Sequence, residues 1–157
     1  MENQNKNLSI SVIVITFNRS EMLAQVLSSL DQQQRLPDEV IIVDNNSIDN
    51  TKAVVDGFKG RFNIRYIFEK NQGVAVARNA GIAKAAGDII AFIDDDCVAD
   101  KEWLRYMELS FLRDPSIGIV GGKIEACRVQ GTLVEEYCIA DGLLETEESL
   151  LNEESTR

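Results

Sequence analysis

The stretch that decides the fold is GDIIAFIDDD, residues 87–96, in which an apolar run ends in three consecutive carboxylates. The β-branched and aromatic residues at 89–93 predict a buried strand. Asp94, Asp95 and Asp96 follow where this strand would reach the protein surface. Because successive strand residues point to opposite faces, Asp94 and Asp96 are expected to share one face, with Asp95 on the other.

Three adjacent carboxylates repel one another, by roughly 4 kcal/mol for two charges ~4 Å apart at an effective dielectric of 20. Such a cluster is tolerated if it is well solvated, shares a proton or holds a cation. A carboxylate pair on one face suits Mg²⁺ or Mn²⁺, with water and phosphate completing the coordination. The alternative is a solvated acidic turn, and only the rest of the chain argues against it.

The remainder of the sequence alternates between strand and helix patterns. Apolar runs predict strands and helical spacing predicts helices. Strands are predicted at 8–15, 40–43, 64–68, 89–93 and 117–120, and helices at about 20–30, 51–58, 74–86 and 101–113. Apolar strands separated by helices predict an α/β fold with a mostly parallel sheet sandwiched by helices. The third strand alternates in polarity and is expected nearer an edge.

Length and charge set the domain plan. A chain of 157 residues is expected to form one domain. We predict a disordered N-terminus at 1–7, a globular domain at 8–134, and an acidic tail at 135–157 that is helical or disordered. The body carries 18 acids and 15 bases, whereas the tail carries 8 acids and one base. Neither part has the basic surface of a nucleic-acid-binding protein.

The sequence also carries information about cellular location. No apolar run approaches the ~20 residues needed to span a bilayer, and the polar start shows no secretory signal. Three cysteines without metal-ligand spacing favour free thiols in a reduced compartment. The sequence therefore predicts a cytoplasmic protein, either free or peripheral to the inner face of the membrane.

Polar residues follow several of the predicted strands. Thr16, Asp44 and the Asp94–Asp96 triplet each come just after a strand end. In parallel α/β sheets ligands bind at the carboxyl edge, so we expect these residues to share one edge. A hydroxyl, a carboxylate and a metal-binding pair together suit a nucleotide, whose polar edges and diphosphate they would bind.

Several other chemistries are excluded by sequence. The turn after the first strand contains no glycine, and no phosphate-binding loop with its lysine occurs anywhere. The chain contains no histidine, which rules out serine–histidine hydrolysis, a histidine base and histidine metal ligands.

Four stretches in order carry a resemblance to a known family. They are VIVITFNR (12–19), VDNNSIDNT (43–51), NQGVAVARNAGI (71–82) and GDIIAFIDDD (87–96). Together they closely resemble the nucleotide-binding half of family 2 glycosyltransferases, which have the Rossmann-like GT-A fold. The resemblance covers about residues 8–124.

The resemblance implies an inverting glycosyltransferase of the hexosyltransferase type, acting in cell-envelope polysaccharide synthesis on a nucleotide-sugar, with UDP-sugar as the first expectation. It implies that Asp96, with Asp94, binds the metal, Mg²⁺ or Mn²⁺, on the diphosphate. The implied nucleotide-sugar contacts are Thr16, Asn18, Asp44, Asn71, Gly73, Arg78, Asp94 and Asp95. Packing and surface pairing are the alternative for Arg78, and turn and cap duty is the alternative for Asp44 and Asp49.

The sequence departs from the family where a base is needed. An inverting transfer requires a general base for the acceptor hydroxyl. The family's acidic base motif has no match after Ile124, and Glu136 is the candidate that remains. No Gln-x-x-Arg-Trp element is present, so processive synthases are a poor match. The chain resembles a donor-binding half, and we expect weak or absent transfer to its saccharide or lipid-linked acceptor.

Three alternatives remain open. The chain could be a nucleotide-sugar-binding module whose partner chain supplies the acceptor site and the base. It could be a phosphohydrolase, because Asp94-x-Asp96-x-Val98 fits an aspartate-nucleophile pattern, although that motif should open a domain rather than follow three strands. It could also be a structural domain with a solvated acidic edge.

Overall fold

A computed structural model describes residues 7–129 and 132–138, with side chains described for 7–124. The elements in chain order are β1 (Ile10–Thr16), α1 (Ser20–Asp31), β2 (Glu39–Asp44), α2 (Thr51–Gly57), β3 (Asn63–Phe68), α3 (Val74–Ile82), β4 (Ile89–Asp94), β5 (Cys97–Ala99), α4 (Trp103–Arg113), β6 (Lys123–Val129) and β7 (Thr132–Cys138). In the described part of the chain, no helix has both the length and the apolar character needed to cross a membrane.

The main sheet has four parallel strands in the order β3-β2-β1-β4, which confirms the predicted α/β class. The two central strands, β1 and β2, are buried along almost their whole length, as their apolar sequences require. The third strand lies at one edge, as its alternating polarity predicted, and β4 lies at the other.

The sheet separates two apolar layers. On one face, Val12 and Val14 pack with residues of α1 and α4, including the fully buried Leu27 and Trp103. On the other face a smaller cluster includes Ile13, Ile41, Val43 and Ala77 beneath α3. Gly81 lets α3 approach closely, because a Cβ there would lie 2.7 Å from Ile13 Cγ2. The helices therefore fix the register and depth of the strands on both faces.

The predicted strand at 117–120 is wrong. These residues form no strand, and Ile119 is 90% exposed. A short apolar run is ambiguous without a partner strand, and glycines at 118 and 121 weaken any strand here.

A second sheet that the sequence did not predict has the order β5-β7-β6. Strand β7 pairs in parallel with β5 and antiparallel with β6. It runs across the predicted boundary at residues 134 and 135, so residues 135–138 are strand. The rest of the predicted tail, 139–157, lies outside the described residues, as do residues 1–6 of the predicted disordered N-terminus.

Candidate functional site

A cleft of about 370 Å³ opens at the carboxyl edge of the main sheet. It is bounded by the ends of β1 and β4, by the first residue after β2, and by the segment that leads into α3. The residues that line it are Ile15, Thr16, Phe17, Arg19, Asn45, Gln72, Gly73, Val74, Asp94, Asp95 and Asp96.

Strand register brings the predicted polar residues to this single edge. Thr16 lies opposite Asp44 across the β1–β2 pair, and Ile15 lies opposite Asp94 across the β1–β4 pair. Residues that are far apart in sequence therefore end at the same level of the sheet. The shared edge expected from the strand pattern is present.

The three acids differ in burial in the way that strand alternation predicts. Asp94 is exposed, Asp95 is 5% exposed and Asp96 is intermediate. Arg19, directly before α1, joins the last two. Its Nη1 donates to Asp95 Oδ1 at 3.0 Å and to Asp96 Oδ2 at 2.9 Å. This guanidinium offsets part of the repulsion within the triplet.

The electrostatics of Asp95 are set by opposing effects. Burial raises its pKa, and the nearby Thr16 hydroxyl and Arg19 guanidinium lower it without cancelling the effect of burial. The hydrogen bond with Asp95 raises the pKa of Arg19, so the guanidinium stays charged. Thr16 Oγ1 lies close enough to influence Asp95, but it forms no hydrogen bond of normal geometry within the described residues and is fully buried.

The residues present fit a hard divalent cation. Asp94 and Asp96 offer carboxylate oxygens at the cleft, which are the ligands that Mg²⁺ and Mn²⁺ prefer. The described part of the chain has no group of three or more acidic, cysteine or histidine side chains that could hold a metal. The two carboxylates of Asp94 and Asp96 match the pattern of Mg²⁺ sites, which use one or two carboxylates and take their other ligands from water and phosphates.

Asp44 lies at the same edge but does not line the cleft. Its side chain is buried, and its Oδ2 accepts a 2.6 Å hydrogen bond from the Tyr66 hydroxyl. Its Oδ1 accepts a hydrogen bond from the Ser47 amide at 2.8 Å. Burial and the hydrogen bond to Asp44 both raise the pKa of Tyr66, which keeps the phenol protonated as a donor.

The segment before α3 is held over the cleft by Asn45. Its side-chain amide donates to the carbonyl of Asn71 at 2.8 Å and to that of Glu69 at 3.3 Å. Its Oδ1 accepts from the Gly73 amide at 2.8 Å. Gly73 has a φ of +146°, a conformation that favours glycine. Asn71 and Gly73 therefore belong to one restrained loop at the cleft.

Like Asp44 and Asn71, the predicted contacts Asn18 and Arg78 are not among the residues that line the cleft. Asn18 has a φ of +53°, and its Oδ1 accepts from the Ile48 amide, so it joins two loops. The guanidinium of Arg78 lies 5.9 Å from the centre of the Phe92 ring. This geometry agrees with the packing alternative for Arg78. Asp49 likewise takes up turn and cap contacts, accepting from Ser20 N at 2.9 Å and from Thr51.

Glu136 lies in β7, where its backbone pairs with Val98 of β5. Val98 is two residues beyond Asp96 in the chain. The backbone of Glu136 therefore lies beside β5, the strand that follows the Asp94–Asp96 triplet.

Among the polar residues that line the cleft, sequence reasoning missed Arg19, Asn45 and Gln72 as site residues. All three occur inside stretches that carry the family resemblance. The available signal for Arg19 and Asn45 was their position in the turns that follow β1 and β2, at the edge where ligands bind in such sheets.

Comparisons with known proteins agree with this geometry. The model of "Glycosyl transferase family 2" matches residues 11–152. The chain is 33% identical to glycosyltransferase AglE of Haloferax volcanii over 133 residues, which cover 82% of this chain and 43% of that protein. It is 31% identical to a chondroitin synthase of Pasteurella multocida, covering 74% of this chain and 12% of that one. The chain thus spans less than half the length of these curated relatives.

A solved structure with the same fold is the mannosyltransferase PcManGT from Pyrobaculum calidifontis in complex with GDP-Man and Mn²⁺. It is 25% identical with a TM-score of 0.63, and the match covers 73% of this chain and 35% of that one. The fold is therefore the nucleotide-binding part of a GT-A glycosyltransferase. With the family match and the cleft at the strand ends, the chain belongs to glycosyl transferase family 2.

Proposed function

We propose that this chain binds a nucleoside-diphosphate sugar through Mg²⁺ or Mn²⁺ and transfers the sugar, with inversion, to an acceptor hydroxyl. The observation that carries the proposal is the cleft in which Asp94 and Asp96 lie beside Thr16, whose buried hydroxyl forms no hydrogen bond of normal geometry within the described residues. A UDP-sugar is the first donor to test. GDP-mannose is the second, since PcManGT was solved with it.

Each part of the donor has candidate contacts at this edge. Asp96 and Asp94 would hold the cation, which when bound neutralises charge on the diphosphate leaving group as a Lewis acid. Asp94 or Asp95 would contact the ribose or the sugar. The remaining proposed contacts to the nucleotide-sugar are Thr16, Asn18, Asp44, Asn71, Gly73 and Arg78.

The transfer itself needs a base. The bond from the anomeric carbon to the diphosphate breaks, the acceptor oxygen bonds to that carbon, and the acceptor proton passes to a carboxylate. Glu136 is the proposed base, and the pairing of its backbone with Val98 supports the assignment by bringing it near the triplet.

The second candidate is a binding module without transferase activity. Within residues 7–124, the carboxylates that line the cleft are those of the triplet, which cation and donor binding would engage. A base and an acceptor site would then come from a partner chain. In either case the acceptor is a saccharide or a lipid-linked saccharide, as in cell-envelope polysaccharide synthesis, and we propose that the protein acts in the cytoplasm or at the inner membrane face.

Isothermal titration calorimetry with UDP and GDP, each with EDTA, Mg²⁺ or Mn²⁺, tests donor binding. We expect one nucleotide to bind only with a cation, and Asp96→Ala to weaken that binding about 100-fold. Asp88→Ala is the matched control, because Asp88 bonds Ser9 at the opposite edge of the sheet. Equal binding with and without a cation, or equal binding by the Asp96 variant, would contradict the proposal.

A nucleotide-release assay with the preferred sugar donor separates the two candidates. Release that depends on an added acceptor and is lost in Glu136→Gln, with donor affinity unchanged, supports the transferase. Tight donor binding without release under any condition supports the binding module.

A further inference from the structure

One nitrogen of Arg19 holds two carboxylates that differ sharply in exposure. The Asp95 side chain is 7% exposed and the Asp96 side chain is 39% exposed. The contact to Asp95 is therefore sheltered from solvent, whereas the contact to Asp96 faces the cleft. Ion pairs that face water are weak, so the Asp96 contact is the easier of the two to exchange.

The charges that line the cleft indicate what could replace Arg19 at Asp96. Among its lining residues Arg19 carries the only positive charge, against three carboxylates. A divalent cation on Asp94 and Asp96 would bring a second positive group to the oxygen that Arg19 contacts. Two cationic groups repel at such distances, so Arg19 and the cation compete for Asp96.

An arginine released from Asp96 would remain in the cleft. Its contact with Asp95 keeps the guanidinium in place, and half of the side chain is exposed. A guanidinium has five N–H donors in a planar fork, which matches the oxygens of a phosphate group. A diphosphate is thus a natural replacement partner.

We propose that Arg19 is an exchangeable counter-ion, which neutralises Asp96 when no cation is bound and pairs with the donor diphosphate once a cation takes Asp96. The second half rests on the function proposed above, whereas the first half depends only on the residues of this chain. Arg19 would thereby weaken, but not prevent, cation binding in the absence of the nucleotide.

The central test compares two affinities in Arg19→Gln. Calorimetry with Mn²⁺ alone is expected to show binding about tenfold tighter than in the wild type, because Asp96 has lost its competing partner. UDP or GDP, titrated with saturating Mn²⁺, is expected to bind about tenfold more weakly. A purely structural arginine would give weaker binding in both titrations, since its loss would loosen the triplet.

Two further variants sharpen the result. Arg19→Lys keeps the charge but not the fork, so Mn²⁺ affinity should stay near the wild type while nucleotide affinity falls. Arg61→Gln is the matched control, since Arg61 pairs with Asp31 at the far end of α1, about 18 Å away for a helix of this length. It should change neither titration.

Nitrogen-15 NMR of the arginine side chains gives a readout in the wild type that does not depend on how the variants fold. Adding Mg²⁺ without nucleotide should shift the Arg19 Nε–H signal, and Asp96→Asn should shift it in the same direction. Unchanged or weaker Mn²⁺ binding by folded Arg19→Gln, or an Arg19 signal that does not respond to Mg²⁺, would overturn the exchange. A wild type that binds Mn²⁺ but no nucleotide would defeat the proposed function instead, while the Mn²⁺ titrations would still decide the competition.

Discussion

The two ends of the main sheet carry similar polar residues but use them differently. At the amino edge, the buried Ser11 hydroxyl donates to Glu39 at 2.8 Å and accepts from the Gly87 amide at 2.8 Å. At the carboxyl edge of the same strand, the Thr16 hydroxyl is equally buried, yet it has no hydrogen bond of normal geometry within the described residues.

The neighbours of these hydroxyls repeat the contrast. Glu39 also accepts from the Ala86 amide and pairs with Arg65. Asp94, at the other edge, accepts no hydrogen bond from the described part of the chain and faces the cleft. Buried polar groups that are fully paired serve the fold, whereas unpaired ones at a cleft are available to a ligand. The difference between the edges therefore supports the proposal that the carboxyl edge is the one that binds the ligand.

The largest effect on stability and affinity should come from removing one hydroxyl at each edge of the sheet, in two separate variants. Ser11→Ala leaves the Gly87 amide without its partner and removes one of the hydrogen bonds to Glu39, so the free energy of unfolding should fall by about 2 kcal/mol with nucleotide affinity unchanged. Thr16→Val removes a hydroxyl that forms no hydrogen bond of normal geometry within the described residues and only helps to lower the pKa of Asp95, so stability should fall much less than in Ser11→Ala while nucleotide affinity falls several-fold. Urea unfolding and calorimetry measure both. Equal loss of stability in the two variants would erase the contrast between the edges.

Asn45→Ala should have the next largest effect, because it removes three hydrogen bonds to the loop at residues 69–73. We expect a loss of about 1.5 kcal/mol in unfolding free energy and weaker nucleotide binding, since the loop would no longer be held at the cleft. Hydrogen exchange of the Gly73 amide measures the loosening directly. Protection of that amide as in the wild type would show that Asn45 does not restrain the loop.

Tyr66→Phe tests whether Asp44 belongs to the fold or to the ligand. The variant removes a hydrogen bond to a buried carboxylate, and the unfolding free energy should fall by about 1 kcal/mol. If Asp44 also contacts the nucleotide base, affinity for the preferred base should change while cation dependence does not. A variant that loses stability but keeps its base preference would show that Asp44 has a structural role, like the paired groups of the amino edge, and does not contact the nucleotide base.

The smallest effect concerns pH and the exposed Asp49. Burial acts to raise its pKa, but hydrogen bonds from Thr51 and Ser20 outweigh burial and lower it. A lowered pKa in the folded state adds stability above the ordinary value of 3.8, and that stability is lost as pH falls through the folded-state pKa. The contribution should be under about 1 kcal/mol, since the group is exposed.

Asp49→Asn should therefore differ from the wild type at pH 7 and approach it as the pH falls through the folded-state pKa of Asp49. Thermal unfolding followed over this range is the measurement. A stability difference that persists unchanged at the lowest pH would mean that the carboxylate charge is not its cause.

The sequence was sufficient to predict the parts of the fold that depend on local pattern. The apolar runs of β1, β2 and β4 predicted parallel strands, and their polar ends predicted the shared edge. Strand β5 has only three residues and could not be recognised by periodicity. The run at 117–120 looked like a strand, but it pairs with no strand in the described part of the chain, because pairing depends on the tertiary fold.

The site shows the same division. The Asp94–Asp96 triplet and Thr16 were visible because they follow strands. Arg19 and Asn45 act through partners as far as 77 and 28 residues away in sequence, which no local pattern reveals. The sequence predicted that Asp44 lies at this edge. It did not predict the hydrogen bond from the Tyr66 hydroxyl to the Asp44 carboxylate, which depends on the tertiary fold.

Strand β4 has a further practical consequence. Within the described residues it is the last strand on its side of the main sheet, and one of its faces presents Ile90 and Phe92, each 38% exposed. An apolar border strand of this kind is a template on which another chain can add a strand. The guanidinium of Arg78 lies over the Phe92 ring, and a charge on a border strand opposes the addition of another chain.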